Sequence, residues 1–122
     1  MKHDDFRKGG MVSVWIGNFK SEAELDAYMN LNRQFEKDFD FTLNERDMPE
    51  ATVSNSPLTV EELADGFSRS DSYKVAIAAI AKERKIMQAT TLVMFLNFEF
   101  LPNLVKLNPN APLQFLAAVA FS

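Results

Sequence analysis

The sequence predicts an α+β fold in which helices pack on one face of a small, mainly antiparallel sheet. The run at residues 90–100, TTLVMFLNFEF, is rich in β-branched, aromatic and aliphatic residues, as interior strands are. Candidate elements follow one another in the order strand, helices, strand, strand. The last strand is predicted at residues 113–121. Because the loop at 101–112 before it contains no helix, the last two strands are expected to pair antiparallel.

The central strand is predicted to be buried on both faces for most of its length. Its even positions, from Leu92 to Phe100, are all apolar. Its odd positions are, in order, Thr91, Val93, Phe95, Asn97 and Glu99. Alternating side chains point to opposite faces, so we expect one face to be fully buried and the other to reach a polar environment only at its end.

Residues 12–19 predict the first strand, with Trp15 on the face opposite Val14 and Ile16. Gly17 is expected either to let another segment approach closely or to form a bulge. Glycine has no side chain, so the backbone can adopt either arrangement at this position.

Two helical segments are predicted after the first strand. Ser21 and Glu24 have the spacing of a capping box, which predicts a helix at residues 22–30. Phe35 and Phe39 are spaced one helical turn apart, which indicates a further short helix.

Two more helices are predicted before the central strand. Thr59 and Glu62 form a second capping box for a short helix, and Asp71 is expected to cap a longer helix that ends near Ile86. Residues 40–57 include a polar stretch between two prolines and have no clear periodicity, so no element is predicted there.

A chain of 122 residues fits one domain. We expect residues 1–10, which are polar and end in two glycines, to be a disordered or loosely attached leader, and residues 11–122 to form a single α+β domain. There is no cysteine for a disulfide and no long apolar segment. These features predict a soluble cytoplasmic protein without a membrane partner.

The residues needed for common catalytic and metal sites are missing. There is no cysteine nucleophile, and the single histidine, His3, lies in the expected leader, which argues against a Ser-His-Asp triad and a zinc site. No glycine-rich phosphate-binding motif occurs. We therefore expect no enzyme activity, no metal and no cofactor, although a Ser-Lys arrangement remains open.

Acidic residues are concentrated in one part of the chain. The net charge is −4, and residues 21–50 contain nine carboxylates against three basic side chains. Such a patch attracts basic partners and repels nucleic acid, but an ordinary solvated face fits equally well. Glu36, Asp38 and Asp40 would share one face of an extended segment, where they could bind Mg²⁺ or Ca²⁺ or act as the acid/base pair of a carboxylate-dependent hydrolase. The interleaved phenylalanines favour an ordinary core role for this region instead.

Three stretches together resemble the immunity protein 22 family of bacterial polymorphic toxin systems. The first is VSVWIGNFKSEAELDAYM at residues 12–29, and the second is FEKDFDFTLNERDMPEA at residues 35–51. The third is NFEF at residues 97–100, followed by a loop and the terminal strand. The resemblance covers residues 11–121 in order.

The resemblance implies a non-enzymatic protein that binds and neutralises a cognate toxin domain, commonly a nuclease. An acidic surface would speed its association with a basic toxin. No direct contact with nucleic acid is expected, and self-association is left open. The candidate toxin-binding residues are the carboxylates Glu36, Asp38, Asp40, Glu45, Asp47 and Glu50.

A second hypothesis is a small-ligand or regulatory binding module. Its pocket would lie at the polar end of the central strand, near Trp15, Asn97 and Glu99. Trp15, the only tryptophan, is better explained as a core residue than as an exposed anchor for a partner.

Overall fold

The sheet in the computed structural model, which describes residues 1–122, has four antiparallel strands. They are β1 (Arg7–Gly17), β2 (Glu50–Leu58), β3 (Ala89–Phe98) and β4 (Leu113–Ala120). Their spatial order is β2, β3, β1, β4, so β3 and β1 are central and β2 and β4 are the edges. The α+β class and the antiparallel sheet are confirmed.

Helices cover both faces of the sheet, so the expectation that they pack on one face was wrong. Helices α3 (Val60–Ala64) and α4 (Lys74–Glu83) pack on the face that carries Val14 of β1. The opposite face, which carries Trp15, is covered by α1 (Glu22–Asp26), its π-helical continuation Ala27–Leu31, and α2 (Gln34–Phe39). The physical reason is that β1 and β3 are apolar on both faces, so each face must be removed from water.

The last strand pairs with β1 and not with β3, which corrects the predicted hairpin. Both sides of β3 are already occupied, by β1 and by β2, so β4 joins the free side of β1. Gly17 lies at this junction. A Cβ built on Gly17 would lie 2.7 Å from both the Leu113 side chain and the carbonyl oxygen of Pro112, so the close-approach interpretation of this glycine is confirmed.

A kink at Asn97 changes which faces the end of the central strand presents. Asn97 has a left-handed backbone with φ 56°, and the β1–β3 register shifts beside it. Leu92 packs with α3 and α4, whereas Phe98 and Phe100 pack on the opposite face. There they belong to the aromatic cluster, which consists of Phe6, Trp15, Tyr28, Phe35, Phe39, Phe41, Phe95, Phe98 and Phe100. The even positions therefore share one face only up to Asn97.

The first ten residues pack against the fold, in contrast to the expected loose leader. A 3₁₀ turn, His3–Phe6, leads directly into β1. His3 and Phe6 are each only 2% exposed. The amide of His3 donates to the carbonyl of Thr42 at 2.7 Å. Phe6 joins the aromatic cluster, and this apolar burial fixes a polar segment that has no periodicity of its own.

The caps at Ser21 and Thr59 are confirmed, but the predicted cap at Asp71 was wrong and one strand was missed. Asp71 lies in a 3₁₀ turn before α4, whose first residue follows Tyr73 and has no side-chain cap. The hydroxyl of Ser21 accepts from the amide of Glu24, and Thr59 and Glu62 form a reciprocal capping box. The longer helix, α4, begins at Lys74, after a short 3₁₀ turn at Ser70–Ser72. Strand β2 occupies part of the segment in which no element was predicted.

Candidate functional site

Asp38 is the only buried residue among the six candidate carboxylates, with 1% of its surface exposed. It accepts hydrogen bonds from the Tyr28 hydroxyl at 2.8 Å, and from the side-chain amides of Gln34 and Asn108 at 2.9 Å each. These donors come from the π-helical segment, from α2 and from the loop before β4. Asp38 thus joins three segments internally and cannot contact a partner.

The hydrogen bonds of Asp38 also decide its charge. Burial by itself would raise the pKa of the Asp38 carboxyl, but the bonds from Asn108, Gln34 and Tyr28 outweigh burial and lower it. The same contact acts in the opposite direction on Tyr28, whose pKa is raised by burial and by the hydrogen bond and charge of Asp38. Asp38 therefore stays ionised inside the protein.

Glu36 is largely occupied by contacts within the protein. Its side chain is 10% exposed, forms an ion pair with Arg33 and accepts from the amide of Leu43 at 2.8 Å. Burial would raise the pKa of Glu36, but the Arg33 guanidinium and the Leu43 amide together lower it. Glu36 holds the turn after α2 and presents little of its charge to solvent.

Asp40 and Asp47 are more accessible. Asp40 is exposed, has a left-handed backbone with φ 59°, and accepts from the amide of Lys106 at 3.1 Å. The side chain of Asp47 is 34% exposed, forms an ion pair with Arg7 and lies 3.9 Å from Nε2 of His3. Asp40 therefore anchors the loop before β4, and Asp47 anchors the first residues of the chain.

Glu45 and Glu50 differ in what they contact. Glu45 is exposed and makes no hydrogen bond or ion pair within the protein. Glu50, at the start of β2, accepts from the amide of Ser68 at 3.0 Å. Glu45 thus has its full hydrogen-bonding capacity available to a partner.

The three carboxylates at positions 36, 38 and 40 do not converge. The segment is helical, not extended, so Glu36, Asp38 and Asp40 point toward different partners. No group of three or more His, Cys, Asp or Glu side chains in the structure is arranged to hold a metal ion. The geometry does not support a cation site at these residues.

Trp15 is a core residue at the centre of the aromatic cluster. It is 0% exposed and contacts seven phenylalanine rings, with centroid distances from 5.0 to 6.5 Å. Its Nε1 has no hydrogen-bond partner. Asn97 accepts from the amide of Gly10 at 3.1 Å, and Glu99 lies 3.5 Å from Nζ of Lys8. Trp15, Asn97 and Glu99 line none of the grooves and depressions described below.

A groove of about 320 Å³ lies between α1 and the edge strand β2, and we call it the α1–β2 groove. It is lined by Glu22, Leu25, Asp26, Met29, Asn30, Met48, Pro49, Ala51 and Val53. Leu25 and Met29 are buried and form an apolar floor, whereas Glu22 and Asp26 are exposed at the rim. Met48 is 51% exposed, so an apolar surface is open to a partner beside two carboxylates.

A smaller depression continues this surface toward two predicted residues. It shares Met29 and Met48 with the α1–β2 groove and adds Glu36 and Glu45 to the lining. Asp40 lies in a separate shallow depression that also includes Glu36. The structure thus places Glu36 and Glu45 beside the groove and Asp47 outside it.

A second groove lies on the other face of β2, and we call it the α3–β2 groove. It has a volume of about 420 Å³ and is lined by Glu50, Ala51, Thr52, Ser54, Leu58, Glu62, Leu63, Gly66 and Phe67. Sequence reasoning missed both grooves because β2 was not predicted. Two signals in the sequence were available. Pro49 and Pro57 flank a short stretch with β-branched residues, which is typical of an edge strand. Glu22 and Asp26 are four residues apart, which places them on one face of a helix.

The family model for Immunity protein 22 matches residues 12–122 of the chain. The chain belongs to the Immunity protein 22 family. The resemblance seen in the sequence is therefore confirmed. No curated protein and no solved structure matches the chain.

Membership in the Immunity protein 22 family supports a role in immunity to a toxin, and it implies a toxin protein as the partner. It also suggests an inhibitor that acts without catalysis. No helix of this family member is both long enough and apolar enough to cross a membrane.

Proposed function

We propose that this member of the Immunity protein 22 family binds a cognate toxin domain in the bacterial cytoplasm and covers its basic active-site surface, as on a nuclease. The observation that carries the proposal is the family match over residues 12–122. Binding alone is sufficient for this role, so the protein needs no catalytic group of its own.

The α1–β2 groove has the composition expected of an inhibitor's contact surface. Protein interfaces combine an apolar centre with a polar rim, and methionine adapts well to a partner's shape. Here Leu25, Met29 and the exposed Met48 supply apolar lining, and Glu22 and Asp26 are exposed beside them. Part of the lining, including Met29, comes from the π-helical segment, and such segments frequently occur at functional sites.

The exposed carboxylates next to this groove fit a basic partner. Glu22, Asp26 and Glu45 are exposed here. Glu36 contributes little because Arg33 pairs with it. Opposite charge on two surfaces accelerates encounter and aligns the partners, and added salt weakens the effect. We therefore expect these carboxylates to influence the association rate more than the dissociation rate.

The function is tested first by neutralisation and capture. The tagged protein is used to capture partners from cells that express secreted proteins encoded beside its gene, at low and high salt. The C-terminal domain that is captured is then expressed in bacteria with and without the protein. We expect growth arrest by the domain alone and growth when both are present. Failure of the protein to capture or neutralise any such domain would count against the proposal.

The electrostatic part is tested with two double variants of equal charge change. Glu22→Gln with Glu45→Gln removes one charge from the rim of the α1–β2 groove and one from the depression beside it, whereas Glu61→Gln on α3 with Glu83→Gln on α4 removes two exposed charges elsewhere. We expect the first pair to slow association with the captured toxin domain and to reduce its salt dependence, and the second to have a smaller effect. Equal association rates for the two pairs would refute a local role for these carboxylates.

A further inference from the structure

The two edges of the sheet differ in how they are protected. At β4, the Arg84 guanidinium of the segment after α4 donates to the carbonyl oxygens of Phe115 at 2.7 Å and Leu116 at 2.9 Å. Those carbonyls are consequently occupied, and β4 is a poor template for another strand. No comparable contact exists at β2.

The outer edge of β2 is open. The backbone of residues 50–58 pairs with β3 alone, and its only other hydrogen bond runs from the amide of Ser56 to the hydroxyl of Ser54. Pro57 and the register shift after Val53 interrupt the far end of β2, whereas residues 50–54 contain no lysine and no proline, which are the residues that usually protect an edge from pairing. An unprotected edge is a surface on which a further strand can form main-chain hydrogen bonds.

The two grooves lie on opposite faces of this edge. Val53 lines only the α1–β2 groove, Thr52 and Ser54 line only the α3–β2 groove, and Ala51 lies at the edge between them and lines both. Successive side chains of a strand point to opposite faces, so a strand added to β2 would direct its side chains alternately into the two grooves. With volumes of about 320 Å³ and 420 Å³, both grooves have room for side chains.

The charges around the two grooves have one sign. Glu22 and Asp26 line the first groove, Glu50 and Glu62 line the second, and no lysine or arginine lines either. Basic side chains from a partner would be favoured in both grooves. The β2 strand of a second copy would supply no such side chain, because Glu50 is the only charged residue of β2.

We propose that an extended segment of the toxin, rich in lysine or arginine, adds to β2 as a fifth strand. This inference rests on the proposed function, because it assigns the toxin as the occupant of the edge. Main-chain hydrogen bonds to β2 supply part of the affinity, and the two acidic grooves select basic side chains at alternate positions.

The first test is amide hydrogen exchange on the purified protein, alone and bound to the toxin domain captured as described above. We expect the amides of residues 50–54 that do not donate to β3 to exchange quickly in the free protein and to become protected in the complex. A complex in which these amides stay unprotected overturns the inference and leaves the proposed function intact. Protection that rises with concentration in the free protein overturns it in favour of a second copy.

The second test places a lysine on the edge. Ala51→Lys adds positive charge to the α1–β2 groove at an exposed position, and Ala76→Lys makes the same change at an exposed position of α4. We expect the first variant to bind the toxin domain about tenfold more weakly or worse, and the second to bind like the parent. Equal affinities would overturn the inference. Thermal unfolding of both variants verifies that they fold. If the parent protein binds no toxin domain, the proposed function fails and this inference fails with it.

Discussion

Replacing Asp38 with alanine should be one of the most damaging single changes to the stability of this protein. Asp38 is 1% exposed and accepts three side-chain hydrogen bonds from three separate segments. Its main-chain carbonyl also accepts from the amide of Asn108 at 2.9 Å, so the loop before β4 depends on this position twice. Asp38→Ala removes only the side-chain contacts.

The size of the stability loss depends on which of the three hydrogen-bond donors can bond to water once the carboxylate is removed. Tyr28 is 6% exposed, so its hydroxyl loses its only acceptor inside the protein, which costs about 1–3 kcal/mol. Gln34 is half-buried and Asn108 is exposed, so water can replace the carboxylate, and each lost bond costs about 1 kcal/mol. The expected loss in the free energy of unfolding for Asp38→Ala is therefore about 3–5 kcal/mol.

Urea unfolding followed by the fluorescence of Trp15 measures this loss, because Trp15 is the only tryptophan and is fully buried. Asp71→Ala is the matched control, since the Asp71 side chain is 97% exposed and only approaches Lys74. We expect the control to unfold at nearly the same urea concentration as the parent. A loss below about 1 kcal/mol for Asp38→Ala would refute the assignment of Asp38 as an internal link.

Asp38→Asn removes the charge of the side chain but keeps its shape, so it tests how the ionised carboxylate contributes to stability at different pH values. The folded pKa of Asp38 is lowered from 3.8, so its contribution to stability is fully present above the unfolded pKa and is lost as pH falls through the folded pKa. Asp38→Asn should lack this part of the acid dependence and should lose less stability than Asp38→Ala at neutral pH. An acid profile identical to that of the parent would contradict this explanation.

Two further predictions concern His3 and Gly17. Burial lowers the pKa of His3 from 6.5, so the unfolded chain binds a proton that the folded protein does not, and stability should fall as pH drops below about 6.5 toward the folded pKa. Urea unfolding between pH 7.5 and 5 should show this slope in the parent and not in His3→Leu; equal slopes would exclude His3 as its source. Gly17→Ala places a Cβ 2.7 Å from Leu113 and from the carbonyl of Pro112, which should cost about 1–3 kcal/mol in thermal or urea unfolding. Gly66→Ala, which meets nothing within 4 Å, should be neutral or slightly stabilising, and a similar loss in both would contradict the steric argument.

Features that depend on neighbouring residues were predictable from the sequence. The caps at Ser21 and Thr59 depend on a side chain and an amide three residues away, so their spacing is sufficient to identify them. The central strand was predictable because its composition fits a site buried on both faces. The same apolar character, with Trp15 opposite Val14, also contained the information that both faces of the sheet need helices.

Features that depend on distant residues were not predictable in the same way. Strand β2 is mostly polar, and its extended backbone is held by pairing with β3. The pairing of β4 with β1 depends on which edges remain free after the other strands have assembled. Asp38 and Asp40 looked equivalent in sequence, and only the helical path of α2 places one inside and the other outside. Spacing alone could not separate an internal carboxylate from a surface one.

This separation of carboxylates has an evolutionary consequence. A substitution at Asp38 is selected against because it impairs folding, whether or not a partner is present, since the contacts of Asp38 lie inside the protein. A substitution at Glu45, which has no internal partner, leaves folding intact, so selection acts on it only through its effect on partner binding. The protein can therefore drift toward a new partner by point mutations at exposed acidic positions while the aromatic cluster and its Asp38 link remain fixed.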